Sequence, residues 1–376
     1  MHLAALFAAS ISALVLGTAG VGRASPADDD ADLVVLDGGF AQLTLLGLVQ
    51  VQAAPWLGDD ALIANGDPAD TAGFRMRRAR LGTHGYAWGT VDWELSLQAS
   101  GEGVNLHRAY VAYRGINFLH ILGGVHDVPF SRFALSGAGR SALADRPFGT
   151  RGMAPFTQLG LSIEGEVGES LLKYAAGAYN GFTRGASFFE GYREEPSLDG
   201  NRFTNLAYAA RVEIAPLGKL GQDLPDFDRK GVRIGVGGSF YFDPGKTVET
   251  LGWGVDVIMK FKGLHLAAEL LMDSAAPTHK PTTDATVPGS VDRMSLVTEL
   301  GYMILADCLG VTARFELLDD NTAQDNAGDA IVVTGGVQYY LHRQHLKAQL
   351  EFTHREELKG IALDNDALVL QLQFQL

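Results

Sequence analysis

Sixteen segments of alternating apolar and polar residues can be placed along this 376-residue chain, and this periodicity restricts its fold more than any other feature. The segment 91–99 shows it most clearly, because its odd-numbered residues are apolar and its even-numbered residues are polar or charged. Successive side chains of a β-strand point to opposite faces, so each segment predicts a strand with one apolar face and one polar face. The predicted strands are 40–54, 73–86, 90–99, 105–114, 118–127, 157–167, 170–180, 203–214, 231–242, 252–261, 263–272, 292–303, 309–318, 330–341, 344–355 and 366–375.

The prolines and the apolar runs indicate how such strands could be arranged. All thirteen prolines are expected outside the strands, because a hydrogen-bonded ladder needs each backbone N–H. After residue 24 no apolar run approaches the ~18–20 residues that a membrane-spanning helix needs. Only helices and closed barrels cross a bilayer with every backbone polar group paired. The pattern therefore predicts an all-β fold, a transmembrane antiparallel β-barrel of about 16 strands.

The lengths of the connections support this strand count. Connections after even-numbered strands are mostly short, with 215–230 as the exception. Bacterial barrels place long loops outside and tight turns in the periplasm, so both termini are expected on the periplasmic side. The long connections all follow odd-numbered strands and are 55–72, 128–156, 181–202, 273–291, 319–329 and 356–365.

The N-terminus is predicted to be a secretory signal peptide. An apolar run is followed by GRA at 22–24, which resembles an A-x-A cleavage site. An N-terminal membrane anchor is the alternative interpretation, although no stop-transfer pattern follows. We therefore expect a signal peptide at 1–24, a flexible acidic segment at 25–39 and a single barrel domain at 40–376.

Charge and cysteine content argue against several functional classes. The formal net charge of −14 at pH 7 disfavours nucleic-acid binding. The single cysteine, Cys308, rules out an intramolecular disulfide framework. The oxygen-rich loop 319–329 departs from EF-hand spacing, so a solvated loop is preferred there over a loosely bound divalent ion. We expect no cofactor and no dedicated metal site.

Six stretches carry a family resemblance. They are FRMRRARLG at 74–82, DWELSLQAS at 92–100, AYVAYRG at 109–115, GVHDVPFS at 124–131, ADRPF at 144–148 and YAAGAYNG at 174–181. In this order they resemble the phosphate-selective porin O/P family of outer-membrane channels. Two positions depart from the family pattern, which usually has Lys where this chain has Asp127 and often an aromatic residue where it has His126.

The resemblance implies a porin of the bacterial outer membrane. Such a protein is a water-filled channel for passive diffusion of small hydrophilic solutes, and in this family for anions, phosphate among them. The resemblance also implies contact with outer-membrane lipids and lipopolysaccharide, and assembly as a homotrimer. Asp127 weakens the inference of phosphate preference, because a negative charge replaces a positive one. A non-selective or structural barrel is therefore the alternative.

The third external loop, 128–156, is the loop that folds inward in sixteen-stranded porins. Asp145 is its one acid, whereas its basic residues are Arg132, Arg140, Arg146 and Arg151. These arginines could form a basic constriction that attracts anions, since charged rings at narrow points set selectivity. They could equally tie the loop to carboxylates of the barrel wall. The residue pattern leaves both interpretations open.

Charged residues of the predicted lumenal face complete the candidate pathway. The alternation directs Arg78, Arg80, Arg108 and Arg114 inward, with the carboxylates Asp92, Glu94 and Asp127 opposing them. Cross-strand pairs of this kind would cancel part of the field that an ion meets. Basic and acidic residues assigned to the whole lumenal face are equal in number, so we expect only a weak preference for anions.

Two other functional classes remain as alternatives. An outer-membrane esterase or phospholipase would need a nucleophile with a nearby base, and the chain has no G-x-S-x-G motif. A soluble or periplasmic β-rich binding protein would need a second layer to cover its apolar faces. We therefore predict a channel and no enzymatic activity.

Overall fold

The chain forms a barrel of consecutive antiparallel strands. The computed structural model describes residues 34–58, 73–100, 103–168, 171–181, 205–245, 248–277, 290–326, 328–360 and 362–376. Three short helices lie between strands: α1 (Arg132–Leu135), a 3-10 helix (Ala138–Arg140) and α2 (Phe148–Met153). The strands are β1 (Val34–Asp37), β2 (Ala41–Leu57), β3 (Gly73–Ala87), β4 (Val91–Ser100), β5 (Gly103–Ile116), β6 (Leu119–Asp127), β7 (Thr157–Val167), β8 (Leu172–Tyr179), β9 (Ala207–Ile214), β10 (Arg233–Asp243), β11 (Val248–Phe261), β12 (Leu264–Pro277), β13 (Val291–Leu305), β14 (Leu309–Asp319), β15 (Ala330–His342), β16 (Leu346–Glu357) and β17 (Ala367–Gln375).

Strands β2 to β17 close into a ring. Each pairs antiparallel with its neighbours in sequence, and β17 pairs with β2, where Gln371 lies opposite Gln52. The sixteen-stranded barrel predicted from the alternation is therefore confirmed. The strand ends that flank the long connections lie at one rim and the short turns at the other, as expected, and 215–232 is the long exception at the short-turn rim.

Strand β1 was not predicted by the alternation. It pairs with the beginning of β2, where Val34 lies opposite Thr44. Because β17 ends opposite Leu48, β1 continues the ladder along the part of β2 that β17 does not reach. Four residues are too few to reveal a period of two. The strand falls in the segment expected to be flexible, and residues 1–33, including the expected signal peptide, lie outside the described residues.

Two prolines lie within strands, so the expectation that all prolines would fall outside them was wrong. Pro55 lies in β2 beyond the end of its ladder with β3 and beside a register shift in its ladder with β17. Pro277 is the last residue of β12. At a bulge or a strand end the missing N–H removes no bond from the centre of a ladder, which is where proline is tolerated.

The two faces of the barrel wall have opposite character. In β11, Trp253 and Val255 are exposed on the outer surface, whereas Asp256 and Lys260 are buried inside the barrel. An apolar outer face with a polar interior is the arrangement of a barrel surrounded by lipid. No helix in the described part of the chain is long and apolar enough to cross a membrane.

Two connections fold into the barrel from opposite rims. The lumenal loop (128–156) joins β6 to β7, and the inward turn (215–232) joins β9 to β10. They meet in an apolar cluster, in which Phe133 of the loop packs with Leu220 and Leu224 of the turn. The inward loop was expected from the resemblance, but the inward turn was not. Together they fill part of the lumen and leave an open space along the wall from β2 to β9.

Candidate permeation pathway

The lumenal loop is attached to the barrel wall through Arg132 and its neighbours. The Arg132 guanidinium donates to Asp256 Oδ1 (2.6 Å) and to Glu213 Oε2 (2.8 Å). Glu269 of β12 accepts hydrogen bonds from the Arg132 backbone N–H (2.5 Å), Ser131 Oγ (2.8 Å) and Thr150 Oγ1 (3.2 Å). Arg132 therefore ties the loop to wall carboxylates, which was the second of the two interpretations.

Asp145 attaches the middle of the loop to β3. Its Oδ1 atom accepts from Arg77 Nε at 2.8 Å and lies 3.6 Å from Arg78 Nη1. Its backbone carbonyl accepts from Arg314 Nη1 at 2.9 Å. Burial by itself would raise the pKa of Asp145, but Arg77, Arg78 and Arg151 outweigh it and hold the pKa well below its ordinary value. The carboxylate is thus charged and fixed.

The remaining loop arginines have three different environments. Arg146 donates to the carbonyl oxygens of Phe133, Ala134 and Ser136, so it stabilises the end of α1 within the loop. The Arg151 guanidinium lies 4.3 Å from the centre of the Phe148 ring. Arg140 Nη1 lies 3.3 Å from Asp223 Oδ1 of the inward turn. The four arginines therefore do not form one ring around the pore.

The predicted wall arginines also have carboxylate or amide partners. Arg108 makes a two-pronged pair with Asp127 and lies 3.5 Å from Glu94. Arg114 pairs with Asp92 and with Glu164 (3.5 Å). Arg78 donates to Gln50 and Arg80 donates to Gln98. Asp127, the residue that departs from the family pattern, is thus balanced by Arg108 across the β5–β6 pair.

Two β-bulges bring additional basic residues into the lumen. The register of β3 shifts between Arg78 and Met76, so Arg77 and Arg78 both contact Asp145 inside the barrel. The register of β5 shifts between Arg108 and Leu106, and His107 lines the lumen beside Arg108. A bulge adds one residue and so reverses the facing of the residues beyond it. Strict alternation with Arg78 and Arg108 would place Arg77 and His107 on the outer face, and the bulges place them in the lumen instead.

The open part of the lumen is a cavity of ≈ 670 Å³ between the lumenal loop, the inward turn and the wall from β2 to β9. The equal numbers of basic and acidic residues predicted for the whole lumenal face do not apply to this cavity, because the lumenal loop covers wall groups such as Glu269 and Glu316. Seven basic side chains line it: Arg80, Arg108, Arg114, Arg132, Arg140, Lys173 and Arg211. Four acidic side chains line it: Glu94, Asp127, Glu164 and Glu213.

The oxygen-rich loop 319–329 makes hydrogen bonds within itself. Asn326 donates through Nδ2 to Asp320 Oδ1 (2.7 Å), and its backbone N–H donates to Asp329 Oδ2 (3.0 Å). Among the residues that the structure describes, no group of three or more His, Cys, Asp or Glu side chains is arranged to hold a metal ion.

Comparisons with known proteins agree with this architecture. The family model described as phosphate-selective porin O and P matches residues 49–376. No curated protein sequence matches the chain. Similar solved structures include an anion-selective porin from Comamonas acidovorans, with 15% identity and a TM-score of 0.59 over 89% of this chain and 100% of that one.

Two further solved structures show the same barrel. The outer-membrane OmpT of Vibrio cholerae has 12% identity and a TM-score of 0.59 over 91% of this chain and 99% of that one. Salmonella typhi OmpF, in a complex with daunomycin, has 11% identity and a TM-score of 0.60 over 91% and 99% of the two chains. At such low identities the likeness establishes the fold alone.

Proposed function

Because this chain belongs to the phosphate-selective porin O and P family, we propose that its pore passes small hydrophilic solutes with a weak preference for anions. The broader function is that of the family, namely passive diffusion through a channel in the bacterial outer membrane. A sixteen-stranded barrel leaves an aqueous passage, so no chemical step is needed for transport.

The charge of the open cavity supports the anion preference. Its seven basic side chains exceed its four acidic ones by three, and all of them line the cavity through which a solute would pass. A charged lining with low-dielectric walls raises the local concentration of ions of opposite sign. The anion-selective porin of similar fold is consistent with this proposal, although its selectivity is a property of that protein.

Ion pairing explains why the preference is proposed to be weak. Arg108 and Arg114 each face two carboxylates, and Arg132 binds Asp256 and Glu213. Each pair cancels much of the field that a passing ion meets. We propose that phosphate crosses as one anion among others, because these guanidinium groups already bind protein carboxylates rather than presenting an open fork for a phosphate oxygen pair.

The same family membership supports proposals about assembly and targeting. We propose that residues 1–24 are removed as a signal peptide and that 40–376 is one barrel domain. We also propose a homotrimer embedded in outer-membrane lipid and lipopolysaccharide, as a trimer form is described for OmpT of Vibrio cholerae, a protein of similar fold. Cross-linking of the protein in detergent, followed by gel migration before and after heating, tests the trimer.

A hydrolytic activity is not part of the proposal. His126 Nε2 lies 2.7 Å from Ser162 Oγ, but its Nδ1 atom lies 2.9 Å from the Gly124 carbonyl oxygen, and the pair is packed beside Tyr179. We propose that this contact holds β6 to β7. Hydrolysis of an ester substrate by the purified protein, lost on Ser162→Ala substitution, would contradict it.

Single-channel recording with phosphate as a blocker tests the selectivity proposal. The purified protein is inserted into a planar bilayer in chloride, and phosphate is titrated against the chloride current. A weakly selective pore should show little block until phosphate reaches concentrations comparable to chloride. Strong block at micromolar phosphate would instead indicate a dedicated phosphate site and would contradict the proposed weak preference.

A further inference from the structure

The inward turn (215–232) borders the permeation pathway on the periplasmic side. Gly221 and Gln222 line the open cavity together with the loop residues 138–140. A solute that has passed the lumenal loop must therefore pass this turn as well. The turn enters the lumen from the rim opposite to the lumenal loop, so the two segments border the pathway from different ends.

The wall holds the inward turn in a defined position. Lys260 of β11 donates through Nζ to the carbonyl oxygen of Leu220 at 2.8 Å. The backbone N–H of Gly263 donates to Asp226 Oδ2 at 2.9 Å, and Arg233 of β10 pairs with Asp226. Apolar contacts of the turn with Phe133 add to these bonds. The turn is thus a fixed part of the lumen.

Asp223 is the acidic group that the inward turn presents to the lumenal loop. Its Oδ1 atom lies 3.3 Å from Arg140 Nη1, and the two side chains are 28% and 37% exposed. The backbone joins the same two segments, because the Leu224 N–H donates to the Arg140 carbonyl (3.4 Å). Lys260 Nζ also donates to the backbone carbonyl oxygen of Asp223. The turn thus holds the Asp223 carboxylate beside Arg140.

We propose that the inward turn forms a second, periplasmic constriction, at which Asp223 offsets the positive charge of Arg140 and limits the anion preference of the pore. The inference rests on the proposed passive pathway, and it identifies Asp223 as the group that reduces the positive charge of that pathway beside the inward turn. Removing the carboxylate leaves Arg140 facing the passing ion without its partner. Removing the guanidinium leaves Asp223 and gives the opposite shift.

Reversal potentials of charge-neutralising variants test the proposal. A unit charge about 7 Å from an ion in water changes the local ion population by roughly threefold at low salt. The anion population rises and the cation population falls by this factor when a negative charge is removed, so we expect Asp223→Asn to raise the anion-to-cation permeability ratio by roughly sevenfold, and Arg140→Gln to lower it. Asparagine keeps the shape of aspartate and can still accept from Arg140. Asp228→Asn is the matched control, since Asp228 lies in the same turn but pairs with Arg233 and Lys230, which do not line the cavity, whereas the partner of Asp223, Arg140, does.

A labelling experiment keeps the proposal testable if a charge variant alters assembly. Gln222→Cys, placed in a Cys308→Ser background, is treated from the periplasmic side with a negatively charged methanethiosulfonate, and the current is expected to fall. Unchanged current after labelling, or the same permeability ratio in Asp223→Asn, Asp228→Asn and wild type, would overturn the proposal. A wild-type preference for cations would refute the proposed anion preference, whereas a shift toward anions in Asp223→Asn would still support the second constriction.

Discussion

Two glycines of the same short helix give a sharp test of how the lumenal loop is seated. Gly149 and Gly152 both lie in α2, where the loop meets the wall at β12 to β14. A Cβ atom at Gly149 would lie 1.7 Å from Ser295 Oγ and 2.3 Å from Ser295 Cβ, whereas a Cβ atom at Gly152 would meet nothing within 4 Å. Gly149→Ala should therefore displace the loop, and Gly152→Ala should not.

The size of the displacement follows from these distances. Real Cβ atoms essentially never approach closer than 3.0 Å. Rotation can move Ser295 Oγ away, but Ser295 Cβ is fixed to β13, so the loop must shift by at least the difference between 3.0 and 2.3 Å, or 0.7 Å. Overpacking of this kind costs about 1–3 kcal/mol, which would increase the population of loops released from the wall on the order of 5- to 150-fold.

Limited proteolysis measures that population. The loop carries three arginines at which trypsin can cut once the loop leaves the lumen, namely Arg132, Arg140 and Arg151; Arg146 is followed by Pro147 and is resistant. The current through single channels should become noisier for the same reason. Gly152→Ala is the control, because alanine is a better helix residue than glycine and its Cβ atom has room. Equal cleavage rates in Gly149→Ala and Gly152→Ala would refute the seating of the loop against Ser295.

Three further predictions concern the lumenal loop, its contact with the inward turn, and the barrel wall. Asp145→Asn should speed tryptic cleavage of the loop. Because the Arg77 and Arg78 guanidinium groups lower the pKa of Asp145, its stabilisation is present above the ordinary carboxyl pKa and is lost only as pH falls through the lowered value. The difference in single-channel current noise between wild type and Asp145→Asn should therefore persist from pH 7 to about pH 4 and shrink below it. Phe133→Ala removes a ring that is 2% exposed. It should weaken the contact between the lumenal loop and the inward turn by about 3–5 kcal/mol and increase single-channel conductance. Unchanged conductance would contradict the packing of these two segments against each other. Leu95→Lys on the outer face should reduce refolding into bilayers at a cost of about 2–4 kcal/mol near the membrane centre. Ser96→Lys on the lumenal face should refold normally by heat-modifiable gel migration, and the reverse order would contradict the facing of β4.

The barrel could be predicted from the sequence because each strand carries its own pattern of apolar and polar residues. Lipid outside and water inside impose a period of two on every strand, so sixteen strands could be placed without knowledge of their partners. Alternation does not hold at the bulges at Arg77 and His107, where one added residue changes the facing. A local signal was present at each, since RR at 77–78 and HR at 107–108 place two adjacent charged or polar residues in an otherwise alternating strand.

The pathway could be predicted only in part, because its charge depends on long-range partners. The sequence identified Arg132 and Arg140 as candidates. Their partners, Asp256 and Asp223, lie far along the chain, so the pairs could not be predicted from the local sequence. The length of the connection after the strand ending at Ile214 was the one sign of the inward turn. That a turn folds inward follows from its packing on Phe133, which no local pattern reveals.

The reversal potential of the wild-type pore across a salt gradient tests the proposed function most directly. The purified protein is inserted into a planar bilayer separating concentrated from dilute potassium chloride, and the potential at zero current is measured. The excess of basic side chains in the cavity predicts a small potential with the sign of chloride permeation, well below that of an ideal anion channel. A potential with the sign of potassium permeation, or a protein that inserts but does not conduct, would contradict it.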